Sequence, residues 1–217
     1  MRLRLAGIRQ AIIVAPHPDD EVIGAAALIR ALRRQGSQVA VIVVSDGAAS
    51  HPNSMRWPAD RLTVARERES RHALRRLGVR QGAVTFLRLP DGELSDWADR
   101  SRQVLHHALR RHQAMDLLVG PAITDAHPDH RAVAGALRGF RFGGRRLTYQ
   151  VWPPQRRSGL RCRSLPLPGG ALVKRSLIAA HRTQLGAITD DPQGFSIARH
   201  ELAVFAHPVE YFVEGRG

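Results

Sequence analysis

Two short stretches concentrate chemistry-capable residues in this 217-residue chain, PHPDDE at 16–21 and HPDH at 127–130. The first follows the apolar run AIIVA at once. Adjacent aspartates repel each other, and prolines on both sides of His17 stiffen the backbone and remove donors. A cation relieves such repulsion. His17 and Asp20 stand three apart where a loop enters a helix. His127 and His130 also stand three apart, around a helix start, so both rings can project to one side. Imidazole nitrogen and carboxylate oxygen suit zinc better than they suit a soft metal. A catalytic zinc takes three protein ligands and keeps one position for water. His17, Asp20 and one of His127 and His130 supply three. Asp19, Asp129 and the remaining histidine are left over; a carboxylate beside a metal-bound water is a general base, and a second histidine can stabilise an oxyanion or protonate a leaving amine. Spacing alone leaves open which histidine ligates. The same donor set also makes the facial triad of non-haem iron enzymes, so Fe²⁺ or another divalent ion is an alternative to Zn²⁺.

A frame must bring the two stretches together. AIIVA (11–15) and VAVIVV (39–44) are unbroken apolar runs rich in β-branched residues, as in strands buried on both faces. AVTFL (83–87), DLLVG (116–120) and LTYQVW (147–152) continue the series. Helical segments alternate with them at 20–36, 61–78, 94–112 and 128–139. The first begins with acids suited to a helix N-terminus and ends at Gly36. This alternation predicts an α/β fold, a three-layer Rossmann-like sandwich with a mainly parallel central sheet, in one domain over 1–217. Ligands of such sheets bind beyond the carboxyl ends of the strands, where both histidine motifs fall. The stretch 153–173, rich in Pro, Gly and Arg, reads as an irregular excursion and a candidate substrate flap.

Composition narrows the function further. Lys and Arg outnumber Asp and Glu by 33 to 19, a net charge of +14 that favours an anionic partner. The arginines are spread over several helices and no nucleic-acid-binding motif accompanies them, so nucleic acid is an unlikely partner. The competing reading is an anion- or nucleic-acid-binding protein with a vestigial site, but it leaves His17, Asp20 and the second histidine pair unexplained. No G-x-G-x-x-G follows the first strand, which argues against a dinucleotide. A single cysteine, Cys162, excludes an internal disulfide. No apolar run approaches a transmembrane span, and no signal peptide is evident, so a cytoplasmic protein is expected.

PHPDDE followed at distance by HPDH resembles the LmbE/PIG-L family of metal-dependent N-acetylglucosaminyl de-N-acetylases. Weaker agreement extends through SDG (45–47), RERESRHALRRLG (66–78), LRLPDGEL (87–94), KRSLIAAHRTQ (174–184) and EYF (210–212). The resemblance implies that His17, Asp20 and His130 bind zinc and that Asp19 is the general base. His127 would stabilise the oxyanion or assist the leaving amine, and Asp129 would hold a histidine ring. Arg66 and Asp91 would lie near the sugar. It further implies an N-acetylglucosamine conjugate as substrate and a homo-oligomer, and the net positive charge favours an anionic carrier for that substrate. Each residue also has a plainer reading. Asp129 could cap the following helix, Arg66 could pair with Glu69 at i, i+3, and Asp91-Gly92 could be an ordinary turn. The family's acidic turn after the second strand keeps only Asp46 here, followed by Ala48 and Ala49.

Overall fold

A computed structural model describes residues 1–112, 114–153 and 162–215. One seven-stranded sheet runs in the order β3-β2-β1-β4-β5-β7-β6. Its strands are β1 (Gln10–Ala15), β2 (Gln38–Ser45), β3 (Val84–Leu89), β4 (Leu117–Pro121), β5 (Arg145–Tyr149), β6 (Cys162–Pro166) and β7 (Val209–Gly215). β1 to β5 are parallel, and β7 joins antiparallel to both β5 and β6. The helices are α1 (Asp20–Arg34), α2 (Ala59–Arg76), α3 (Ala98–Arg110), α4 (Pro128–Gly139), α5 (Gly170–Ile178) and α6 (Arg199–Phe205). The expected mainly parallel three-layer sandwich is therefore the observed fold.

The side-chain alternation of the strands splits the core into two layers. Ile13, Val41 and Val119 pack with α1, α2, α5 and α6 on one face. Ile12, Ile42 and Leu118 pack with Leu105 and Leu109 of α3 and Val133 and Leu137 of α4 on the other. Both faces of β1 and β2 are thus covered, which explains why these strands read as unbroken apolar runs rather than alternating ones.

Three sequence expectations need correction. The stretch 153–173 is not one irregular excursion: Cys162–Pro166 is strand β6 and α5 starts at Gly170, while 154–161 lie outside the described residues. β5 ends at Tyr149 rather than at 152, because the next amides leave the ladder for a side chain described below. α3 begins at Ala98, not at 94; the amide of Leu94 is held by Asp129 and Trp97 closes a turn onto Glu93. Among the described residues no helix is long and apolar enough to cross a membrane.

β1 and β4 are neighbours, yet the chain leaves β1 towards β2 on one side and leaves β4 towards β5 on the other. The crevice where strand order reverses is where open α/β sheets bind ligands. The loop 16–19 leaves β1 there and the loop 122–127 leaves β4 beside it. Gly24 lets these parts close. A Cβ at that position would meet the ring of Tyr149 at 2.3 Å. That ring, fully buried, donates its hydroxyl to the carbonyl of Val14 at 2.8 Å and so locks α1 against the ends of β1 and β5.

Candidate active site

The site is built from two helix entries. At α1, the amide of His17 donates to Asp20 Oδ2 at 2.9 Å, folding the loop back on the helix start. Asp19, the residue before the helix, has φ 135° and ψ −27°, a strained conformation for a side chain other than glycine. Buried Arg66 on α2 holds that strain in place. Its Nη2 donates to the carbonyl of Pro18 at 2.8 Å and lies 3.3 Å from Asp19 Oδ2. Its Nη1 donates to the carbonyl of Gly47 at 2.8 Å. Gly47 needs φ of 70° there, and a Cβ would sit 2.7 Å from the guanidinium. At α4, His127 is the capping residue, and its Nδ1 accepts the amide of Asp129 at 3.2 Å. Asp129 is therefore not the cap.

Across the crevice three donor atoms converge. His17 Nδ1 lies 3.3 Å from Asp20 Oδ2 and 3.2 Å from His130 Nε2. His130 Nε2 lies 3.1 Å from Asp20 Oδ2. Donors about 2.0–2.1 Å from a tetrahedral zinc stand roughly 3.3–3.4 Å apart, so these edges suit a shared ion. The carboxylates behind the rings agree. His17 Nε2 faces Asp129 Oδ2 at 3.2 Å and Asp91 Oδ1 at 3.1 Å, so its proton belongs on Nε2 and its Nδ1 lone pair faces the triangle. His130 Nδ1 faces Asp125 Oδ2 at 3.2 Å, which leaves its Nε2 lone pair for the triangle. His127 is the reverse case. Its Nδ1 already accepts an amide, so its proton is on Nε2 and it is a donor. A grouping of His17, His127 and His130 also falls within ligand distance, but this tautomer argues against His127 as a ligand.

Charges follow the same division. Asp20 is held well below the usual carboxylate range: burial opposes this, but the charges of His130 and His17 outweigh it. His130 is raised to about 9 against its burial, by Asp20 and Asp125. Without a metal, protons hold the triangle together, and a cation binds by replacing them. His127 is lowered by burial and by the neighbouring histidines, and stays neutral. Burial pushes Asp19 up to about 8, with Arg66 opposing the rise.

A cavity of about 300 Å³ opens over the triangle. His17, Asp19, Asp20, Arg66, Asp91 and His127 line its polar side, whereas Ile23, Val151, Trp152, Phe195 and Ile197 form an apolar wall. Every sequence-predicted residue thus falls in or against one site. Asp129 does hold a ring, that of His17, while its other contacts are the amides of Gly92 at 2.9 Å and Leu94 at 3.0 Å. Asp91 is more than a turn residue: it takes the amide of Ala49 at 3.1 Å and touches His17. Arg66 does not pair with Glu69, which instead binds Thr183. Its terminal nitrogens are committed to the protein, so it acts first on the shape of the Asp19 loop.

Sequence reasoning missed Asp125. Its fully buried carboxylate takes the amides of Val151 at 2.8 Å, Trp152 at 3.0 Å and His127 at 3.0 Å, besides supporting His130. One side chain therefore ties both histidines of α4 to the end of β5. The signal was present in TDAHPDH, as an acid two residues before the first histidine, but acids there read as turn formers.

Comparison with known proteins matches residues 12–140 to the family model of GlcNAc-PI de-N-acetylase, PIG-L. No protein of curated function matches in sequence. The fold is similar to N,N'-diacetylchitobiose deacetylase from Pyrococcus horikoshii in complex with its inhibitor MPG, with TM-score 0.69, 23% identity, and 82% of this chain and 72% of that chain covered. It is similar to the A40926 pseudoaglycone deacetylase Dbv21, with TM-score 0.64, 20% identity, and 96% and 98% covered. It is also similar to GalB, the 4-carboxy-2-hydroxymuconate hydratase from Pseudomonas putida KT2440, with TM-score 0.58, 15% identity, and 95% of both chains covered. At these identities the likeness establishes the fold, and the reaction rests on the family match and the site. On that footing the chain belongs to the PIG-L family of GlcNAc-PI de-N-acetylases and is a metal-dependent N-deacetylase by class.

Proposed function

We propose that this protein hydrolyses the acetamide of an N-acetylated amino sugar, with zinc held by His17 Nδ1, Asp20 Oδ2 and His130 Nε2. One observation carries the reading. Three donor atoms 3.1–3.3 Å apart face one another with their lone pairs, and the protons of both rings are turned outward to carboxylates. Without an ion only ring protons keep such donors together, and a cation takes their place. Bound there, zinc supplies Lewis acidity to a water and to the amide carbonyl.

The chain's own groups do the rest. Asp19 accepts the proton of the attacking water. A carboxyl raised towards neutrality is a stronger base than an ordinary one. Asp19 would ionise when His17, Asp20 and His130 hold a dication beside it, since the positive charge of Arg66 already favours the carboxylate. His127 donates its Nε2 proton as a hydrogen bond to the carbonyl oxygen as negative charge develops there. A neutral donor suits this task, because it does not compete for the cation. Asp19 then delivers its proton to the departing nitrogen, giving acetate and a free amine. The amino-sugar ring and its aglycone occupy the cavity beside Trp152 and Phe195, whose rings meet edge to face at 6.0 Å.

Acetate release tests the reading, screened over N-acetylglucosamine conjugates with and without anionic carriers. Asp19→Asn is expected to keep the metal and lose about 10²- to 10⁴-fold in turnover. Full activity in that variant removes the general base from the account. Metal analysis of protein purified without chelators separates zinc from iron. Iron with oxygen consumption overturns the hydrolase reading.

A further inference from the structure

We propose that His17, Asp91 and Asp129 form a second, weaker divalent-cation site on the opposite side of the His17 ring, and that filling it inhibits the enzyme. The proposal rests on the metal reading of the first triangle. His17 Nε2 lies 3.1 Å from Asp91 Oδ1 and 3.2 Å from Asp129 Oδ2. The three atoms all lie within 4.8 Å of one another. These two edges match those of the first triangle.

Charge points the same way. Asp20, Asp91 and Asp129 all approach one imidazole within 3.3 Å. A dication at Nδ1 offsets Asp20. On the other nitrogen, two carboxylates converge on a single proton. Both acids are already fixed in place, Asp129 by the amides of Gly92 and Leu94 and Asp91 by that of Ala49. One nitrogen and two carboxylate oxygens suit zinc or manganese. His17, Asp91 and Gly92 line the main cavity, so an ion arrives by the substrate's route.

An ion held by His17, Asp91 and Asp129 would take the place of the Nε2 proton, which would leave to solvent. Displacing that proton makes this site the weaker of the two. Its occupancy removes the hydrogen bonds that orient His17 as a ligand. It also places a fixed charge on the pocket wall.

The test is equilibrium dialysis of the full chain against rising zinc, with metal counted by mass spectrometry and acetate release measured on the same samples. Wild type is expected to take up a first ion with gain of activity and a second with loss of it. Asp91→Asn, which keeps an oxygen for Ala49, is expected to bind one ion fewer. Equal metal uptake by the two proteins overturns the proposal, as does saturation of wild type at a single ion. If Asp91→Asn does not fold, anomalous scattering from zinc-soaked wild-type crystals decides. A peak between His17 Nε2, Asp91 and Asp129 supports the site, and a peak in the first triangle alone refutes it. Two ions with no acetate release from any substrate keep this site and sink the deacetylase reading. Steady activity with one ion does the opposite.

Discussion

α1 carries two buried charged clusters that differ in one respect. Near its middle, Lys174 of α5 donates to the carbonyl of Ile23 at 2.9 Å and to Glu210 of β7. Glu210 in turn takes the amides of Ala27 at 2.9 Å and Leu28 at 3.3 Å. Positive meets negative, and each group has a partner within the chain. At the first turn of the same helix, His17, Asp20 and His130 turn three donor atoms onto one point, where only exchangeable ring protons join them. A cavity of about 330 Å³ lies against the first cluster, slightly larger than the one over the second. Size therefore does not identify the functional cavity. A cluster whose charges balance internally is structural, whereas one left incomplete awaits something from outside.

This contrast can be broken or sharpened. Its largest expected effect is at the balanced cluster. Lys174→Met leaves Glu210 buried and unpaired, which should cost about 3–5 kcal/mol of stability, measured by denaturant unfolding. Pairing it with Glu210→Gln should recover most of that loss, and zinc per folded chain should stay unchanged in both. Loss of zinc by folded Lys174→Met would show the clusters to be one unit. A middling effect is expected behind the metal triangle. Asp125→Asn should weaken zinc about 10- to 100-fold, as losing the partner of a ligating histidine does, read by competition with a chelating dye. Unaltered affinity would mean that backbone packing alone orients His130.

A further effect, spread over several pH units, concerns acid stability. His181 is fully buried, neither ring nitrogen has a partner among the described residues, and burial lowers it to about 3. The folded state keeps it neutral, while the unfolded chain protonates it near 6.5. Between those values the unfolded state binds more protons, so stability falls as pH drops from about 6.5 towards 3, by up to about 1.4 kcal/mol per pH unit from this group. His181→Phe should flatten that slope. An unchanged slope assigns acid sensitivity to other groups.

Much of this was legible in the sequence, for a physical reason. Strands buried on both faces and helix entries leave local patterns, so β1, β2, α1 and α4 could be read with their histidines attached. What escaped depends on distant partners. Asp125 matters through the amides of residues 151 and 152, which no local pattern links to it. β7 carries the inward acid Glu210, which spoils the strand's alternation unless Lys174 is known to face it. β6 is a short edge strand among arginines and prolines, where composition suggests a loop. Arg66 was visible as a candidate, but its commitment to Pro18, Gly47 and the strained Asp19 belongs to tertiary structure.

The most direct measurement is anomalous diffraction from crystals grown with one equivalent of zinc. The account predicts a single peak about 2.0–2.2 Å from His17 Nδ1, Asp20 Oδ2 and His130 Nε2, with His127 outside coordination distance. Zinc bound through His127 instead, or the side chains of His17 and His130 turned apart with no shared ion, would contradict it.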